Sequence, residues 1–283
     1  MIDEPLAKYL PTFPRAGEVT VRQLLTHTSG IHNYTSLPDF LPAVSPRDLS
    51  TDAMVAVIAG ADPLYDFAPG TSWSYSNSGF FLLGAIIEKV SGQSYARYLQ
   101  ANILDPLKLS QTKLDDLAEI VSNRASGYDR AAGSQTGFAN AGHISMSVAA
   151  AASAVRSTVG DLARWHEALL GGRLLKPASL ALMTAPGRLT DGRLASAARP
   201  TTPGEAGPPS DYGFGIATSR RGGRRSVGHG GSINGFNAAL QTYPDVRTTV
   251  VLLTNTSGGT ATLFPALVDA ILPSATPAAK PQQ

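Results

Sequence analysis

The sequence predicts an α+β fold, with a large helical region followed by an antiparallel sheet and a closing helix. Three observations carry this expectation. Phe80, Leu83, Ile86, Ile87 and Val90 recur at three- and four-residue steps, the period of a buried helix. Short helical patterns with their own caps and stops fill the chain from Thr20 to about residue 185. From Tyr212 onward the pattern becomes runs of β-type residues separated by turns, and it returns to a helix only at Thr262 to Leu272.

Composition narrows the function classes. The chain has 283 residues, 43% hydrophobic and 16% charged, which is a globular balance with enough length for a sizeable core. A net charge of +2, from 23 basic and 21 acidic residues, argues against a nucleic-acid or anionic-membrane partner. There is no cysteine, which excludes disulfides, thiol chemistry and zinc–thiolate sites. Five histidines, no two at a helical ligand spacing, predict no metal site, and no cofactor motif is present. No stretch is long and apolar enough to span a membrane. Met1-Ile-Asp-Glu-Pro5 lacks the basic and apolar regions of a signal peptide, and the compartment is left open.

In chain order, residues 1 to 19 carry Pro5, Pro11 and Pro14 and read as an extended surface arm whose Leu6, Tyr9, Leu10 and Phe13 need a packing partner. That need suggests a chain beginning in mid-structure. Thr20 caps a short helix expected to stop at Gly30, and Ser50 or Thr51 caps another ending at Gly60. Ser78 is the expected cap of the helix through Phe80 to Val90, with Gly92 as its stop. Ser94 starts one more, closed by Asp105-Pro106. Residues 115 to 155 alternate loop and short apolar pieces. Thr158-x-x-Asp161 resembles a capping box ahead of Leu162, Trp165, Leu169 and Leu170, and Lys176 to Met183 forms a further helix.

Residues 186 to 211, rich in Pro, Gly, Ala and Arg, are expected to form a mobile loop. Strands follow at Tyr212–Ile216, Arg225–His229, Phe236–Tyr243 and Thr248–Thr254, the last apolar on both faces and therefore expected to be covered on both. Arg220-Arg221-Gly-Gly-Arg224-Arg225 reads as a solvated hairpin tip. Residues 1–272 are expected to form one unit, mainly helical over 15–185 and sheet plus helix over 210–272, with a disordered tail at 273–283.

The stretch with chemical character is Tyr75-Ser-Asn77, a phenol and a carboxamide two residues apart, just ahead of the most apolar helix. Leu24-Leu-Thr-His-Thr-Ser-Gly30, Pro69-Gly70, Tyr75-Ser-Asn-Ser-Gly79, Tyr212-Gly-Phe-Gly215 and Gly228-His-Gly-Gly231 occur in that order. Together with Ala7-Lys-Tyr-Leu-Pro11, Ile103-Leu-Asp-Pro-Leu107 and Ser157-Thr-x-x-Asp-Leu162, they resemble the serine β-lactamase and penicillin-binding-protein-like superfamily, in particular the hydrolases and esterases related to class C β-lactamases. The resemblance runs from residue 1 to about 272.

That resemblance implies hydrolysis of a small acyl substrate, whether ester, amide, lactam or peptide, through an acyl-serine. It implies Tyr75 as a proton-transfer partner and Asn77 as a hydrogen-bond partner of the substrate's carbonyl or amide. It places His229 where the family has Lys or His, there to stabilise phenolate character at Tyr75 or developing charge. Gly230, Gly231 and Ser232 would bind substrate, with the Ser232 N–H as half of an oxyanion hole. Members are often periplasmic or secreted.

The departures are as informative. The family's Ser-x-x-Lys nucleophile motif lies upstream of the arm that here begins at Ala7, so the fold is expected to be N-terminally incomplete and the nucleophile missing. The literal match Ser110-Gln-Thr-Lys113 falls in a segment that the family keeps far from the site. Ser29, His27, His32, His143 and His166 are expected to be structural or surface residues. Where the family often has Gly-Gly shortly before Ser157-Thr158, this chain has Ser153-Ala154, which puts that backbone in doubt. Without the family's N-terminal strands, Val250 to Leu253 should form an unpaired apolar edge open to self-association. The rival expectation is a catalytically inactive ligand-binding or structural relative with the same fold.

Overall fold

The computed structural model describes residues 2–134, 136–198, 211–258 and 260–272. The expected tail at 273–283 and residues 199–210 of the expected mobile loop lie outside the described residues.

The helical region holds α1 (Val21–Leu25), α2 (Thr51–Ala59), α3 (Asn77–Ser91) and α4 (Tyr95–Leu99). The small ladder β1 (Lys113–Leu114) with β4 (Val155–Arg156) and the hairpin β2 (Tyr128–Arg130) with β3 (Phe138–Asn140) follow, along with α5 (Met146–Ser153), α6 (Val159–Leu170) and α7 (Pro177–Thr184). The main sheet is antiparallel, in the order β5 (Asp211–Tyr212), β6 (Ala217–Arg221), β7 (Arg224–Ile233), β8 (Phe236–Tyr243) and β9 (Thr248–Thr254), closed by α8 (Thr260–Ile271). The fold is α+β, as the sequence predicts.

Helix α3 is the axis of the helical core and packs against α1, α2, α4 and α5. Its buried face is Phe81, Leu82, Ala85 and Ile86, one residue round from the stripe read in the sequence; Val90 is 68% exposed. The offset follows from the helix start. Ser78 does not cap α3; its hydroxyl donates to the His32 carbonyl at 2.6 Å and accepts the Tyr34 N–H at 2.9 Å. Ser76 takes the N-cap position, and the Asn77 N–H is satisfied from outside the helix by Asn33 Oδ1 at 3.1 Å. At the other end Gly92 closes the helix with φ 67°, as expected.

The arm at residues 2–19 is no surface strap. It folds into two 3₁₀ turns, and Leu6, Phe13, Ala16 and Val19 are buried in the α3 core. Apolar side chains at those positions bury surface worth about 1.5–3 kcal/mol for each large one, more than an extended arm would gain. Helix α1 has the Thr20–Gln23 capping box but ends at Leu25 rather than Gly30, because residues 26–30 form a turn in which His27 has φ 58° and Gly30 φ 74°. Thr158 does cap α6, accepting the Asp161 N–H at 3.3 Å. The Asp161 carboxylate does not return to the cap, however. Fully buried, it accepts from the Gln111 N–H and the Thr112 hydroxyl, at 2.8 and 2.9 Å, and pairs with Arg164. It thereby ties the 110–113 segment to α6.

The main sheet is covered on both faces. His166 of α6 meets the Thr242 hydroxyl at 2.7 Å, while the next residue, Tyr243, packs with Val250 under Phe264 and Val268 of α8. Adjacent strand residues face opposite ways, so α6 and α8 lie on opposite sides. Among the described residues, strand β9 hydrogen-bonds to β8 alone and ends the sheet. Its edge is therefore backbone; of its side chains Val250 is buried and Leu253 is 36% exposed. Within the expected mobile loop, Leu189 and Ala195 are buried against Trp73 and Tyr212, so this part of the loop is packed.

The backbone strain in this region lies at Ala150 and not at the Ser153-Ala154 departure. Ala154 has an ordinary φ of −91°, but Ala150, inside α5, has φ 34° and ψ −124°, a conformation normally left to glycine. Ala150→Gly is therefore expected to stabilise the protein by about 1 kcal/mol, the relieved strain less glycine's entropic cost. Urea denaturation of the two proteins checks it.

Candidate active site

Trp73, Tyr75, Ser196, Tyr212, Ala217, His229 and Gly230 line a cleft of about 180 Å³ between the helical region and the sheet. Two segments build its walls. The non-helical run just before α3 contributes Trp73 and Tyr75. The sheet contributes Tyr212 at the end of β5 and His229 on β7, where β7 outruns β6: the β6–β7 ladder ends at Ala217–Gly228, while β7 pairs with β8 as far as Ile233. Residues 229–233 therefore have a β8 partner on one side and no β6 partner on the other. Gly228 permits this approach, because a Cβ there would collide with the Leu240 carbonyl.

The Tyr75 and His229 rings lie 6.1 Å apart, tilted by 37°. Tyr75 is 40% exposed at the cleft mouth. The hydrogen bond from a phenol to His229 comes from Tyr212. His229 Nδ1 faces the Gly230 carbonyl, which only accepts, so Nδ1 carries the proton. In the neutral ring Nε2 is then an acceptor, and the Tyr212 hydroxyl donates to it across 3.0 Å. Burial pushes the His229 pKa down, partly offset by the Gly230 carbonyl, and pushes both the Tyr75 and Tyr212 phenols up. At neutral pH these three groups are uncharged.

Asn77 stands in the first turn of α3, half-buried, with its amide donating to the Thr35 hydroxyl at 3.3 Å; it is not among the cleft-lining residues. Gly230 lines the cleft, while Gly231 and Ser232 follow along the exposed stretch of β7. Ser110 and Lys113 are not lining residues: Lys113 pairs with Glu119 at 3.0 Å, and the backbone of Gln111 is held by Asp161. His32 bonds Asp66 at 2.7 Å, His143 is exposed, and His166 is buried beside Trp165.

Four residues at the site are not marked for it by the sequence. Tyr212 belongs to the Tyr-Gly-Phe-Gly motif, whose position at the start of the sheet was the available signal. Trp73 precedes Tyr75 by two residues and shares its wall. Ser196, whose hydroxyl donates to Asp211 at 2.8 Å, comes from a loop with no motif. His27 lies behind the cleft, 1% exposed, with its ring centroid 4.2 Å from that of Tyr75 and 4.7 Å from that of Tyr212.

A family model described as Beta-lactamase matches residues 1–269. The chain belongs to the Beta-lactamase family. Among known proteins, penicillin-binding protein 4* of Bacillus subtilis is 29% identical over 264 residues, covering 89% of this chain and 54% of that protein. A D-aminopeptidase of Brucella canis is 26% identical over 282 residues, covering 99% of this chain and 50% of that one. The chain spans about half the length of the curated relatives it matches. A D-stereospecific amidohydrolase from Streptomyces sp. superposes with a TM-score of 0.81 at 28% identity, covering 98% of this chain and 80% of that one. The family and fold of this β-lactamase-family chain thus agree with the resemblance drawn from its sequence.

Two buried histidines give the fold an acid limit. Burial holds His27 at a pKa of about 3 and His166 at about 4, against 6.5 when free. Both are neutral in the fold and become charged in the unfolded chain as pH drops below 6.5. The unfolded state then binds more protons, so stability is intact above that pH and is lost as pH falls toward 4. Denaturant titrations should show stability falling by about 2–3 kcal/mol per pH unit or more between pH 5.5 and 4.5, and His166→Gln should reduce the slope by about 1 kcal/mol per pH unit.

Proposed function

We propose that the cleft is the acyl-binding part of a hydrolase site, and that its substrates are small amides or short peptides of the kind for which the D-aminopeptidase and amidohydrolase relatives are named. The observation that carries this reading is the placing of Tyr75 and His229, from motifs more than a hundred residues apart, on facing walls of one cleft. In this reading Tyr75 passes a proton at the mouth of the cleft and His229 supplies polarity from β7. The backbone of Gly230, Gly231 and Ser232 holds the substrate, and Asn77 donates to it after leaving Thr35. A neutral cleft walled by rings suits an uncharged acyl group.

The chemistry of acyl transfer needs a nucleophile within reach of a base. Ser110 is exposed and is not among the cleft-lining residues, and Ser196 already donates to a carboxylate. We therefore propose that these 283 residues bind substrate without acylating. The occupied Nε2 of His229 favours a second reading, a ligand-binding relative in which the cleft is a recognition site only.

Two measurements test this. D-phenylalanine amide, followed by calorimetry, should bind and should lose roughly tenfold in affinity in Tyr75→Ala and in His229→Ala, about the worth of one good contact. Unchanged affinity in both variants refutes the site. Intact-mass analysis after exposure to nitrocefin or p-nitrophenyl acetate should show no stoichiometric adduct, and an adduct mapped to any serine overturns the nucleophile argument.

We further propose that the open edge of β9 pairs with a second copy of the chain. Sedimentation should show concentration-dependent association that Leu253→Lys weakens. A monomer at all concentrations refutes it.

A further inference from the structure

We infer that His27 is a positioning residue, which holds Tyr75 against His229 by accepting the Ser76 N–H at its Nδ1. This rests on the reading of Tyr75 and His229 as the site, and no motif role assigns it.

The geometry is specific. Ser76 N–H donates to His27 Nδ1 across 3.2 Å, and Ser74 N–H donates to the His27 backbone carbonyl across 3.0 Å. The two amides flank Tyr75, so the backbone on each side of the phenol is fastened to one residue. With Nδ1 accepting, the ring proton sits on Nε2, a buried atom with no hydrogen-bond partner among the described residues. It is enclosed instead by rings: Trp73 at 5.8 Å, Tyr75 at 4.2 Å, Phe80 at 5.1 Å and Tyr212 at 4.7 Å between centroids.

A buried imidazole with one satisfied nitrogen is a costly choice if only bulk were needed, since an apolar ring would fill the space without an orphaned N–H. What an apolar ring lacks is the acceptor. The backbone agrees with this assignment. His27 has φ 58°, a region where histidine and asparagine are enriched among non-glycine residues, and that turn aims the side chain back beneath the 74–76 segment. Because His27 touches both Tyr75 and Tyr212, and Tyr212 donates to His229, one residue fixes both walls of the cleft.

The test compares His27→Asn, which keeps an acceptor near Nδ1 and tolerates positive φ, with His27→Phe, which keeps a ring and removes the acceptor. His27→Gly, which takes positive φ without strain and has no acceptor, repeats the comparison should phenylalanine displace the backbone. Amide hydrogen exchange at Ser76 is read against Ser74, whose bond to the residue-27 carbonyl is independent of the side chain. Nuclear Overhauser effects between the Tyr75 and His229 rings report the cleft itself.

Asn is expected to keep Ser76 protection and the Overhauser effects between the two rings. Phe or Gly should speed Ser76 exchange roughly tenfold, the factor a single buried hydrogen bond supplies, with Ser74 unchanged and the ring-to-ring Overhauser effects abolished. Overhauser effects that survive in Phe or Gly, or faster Ser76 exchange in Asn, overturn the proposal. D-phenylalanine amide is added in parallel. If it fails to bind the wild type, the proposed substrate class falls, while the exchange rates and Overhauser effects still decide the role of His27.

Discussion

The structure depends on a stitch between two irregular segments, residues 27–34 and 74–78. Neither is helix or strand along most of its length, so the backbone groups of both must find partners elsewhere. They find them in each other. Ser74 and Ser76 donate to His27, the Ser76 hydroxyl donates to the Ile31 carbonyl at 2.9 Å, and Ser78 bridges His32 and Tyr34. Asn33 takes the first amide of α3. Ser76, Ser78 and His27 are buried, so the bonds of the Ser76 amide and hydroxyl and of the Tyr34 amide are made away from water, where an unmade one is costly. The stitch sets where α3 begins, which face it turns to the core and where Tyr75 projects.

The electrostatics of the cleft follow from the same burial. Phenols and imidazoles are removed from water with no carboxylate or ammonium among the described lining residues to hold a charge on them. Each therefore stays in its neutral form, and the hydrogen-bond pattern fixes the proton positions: on Nδ1 of His229, on Nε2 of His27 and on the Tyr212 oxygen. The site is polar without being charged. Its specificity comes from the shape and faces of the rings and from the strand backbone beside them.

Much of this was legible in the chain itself. The helix caps at Thr20, Ser50, Ser94 and Thr158 and the stop at Gly92 follow local rules, because a cap is satisfied by residues three positions away. The strands Arg224–Ile233, Phe236–Tyr243 and Thr248–Thr254 follow from β-type runs and the turns between them, whereas the run read at Tyr212–Ile216 is strand only at Tyr212 and the strand Ala217–Arg221 follows it. The exceptions share one cause. Ser78 reads as a cap but is claimed by residues 32–34, and Asp161 reads as a capping-box partner but is claimed by residues 111 and 112. The arm at 2–19 reads as surface but supplies core side chains. In each case a distant segment prevailed over the local one.

By itself the sequence determined the fold class, the absence of thiol chemistry and the motifs carrying Tyr75, Asn77 and His229. These depend on composition, local periodicity and residue order, all of which are present in one dimension. Only the tertiary structure decided which phenol touches His229. The motifs point to Tyr75 as the phenol beside His229, and the hydrogen bond goes to Tyr212 instead. The choice depends on how far β7 extends past β6 and on the tie of the 74–76 segment to His27, the latter a contact between residues far apart in the chain. His27 is the sharpest case: an ordinary turn residue in sequence becomes the shared support of both cleft walls because a positive φ places its ring there.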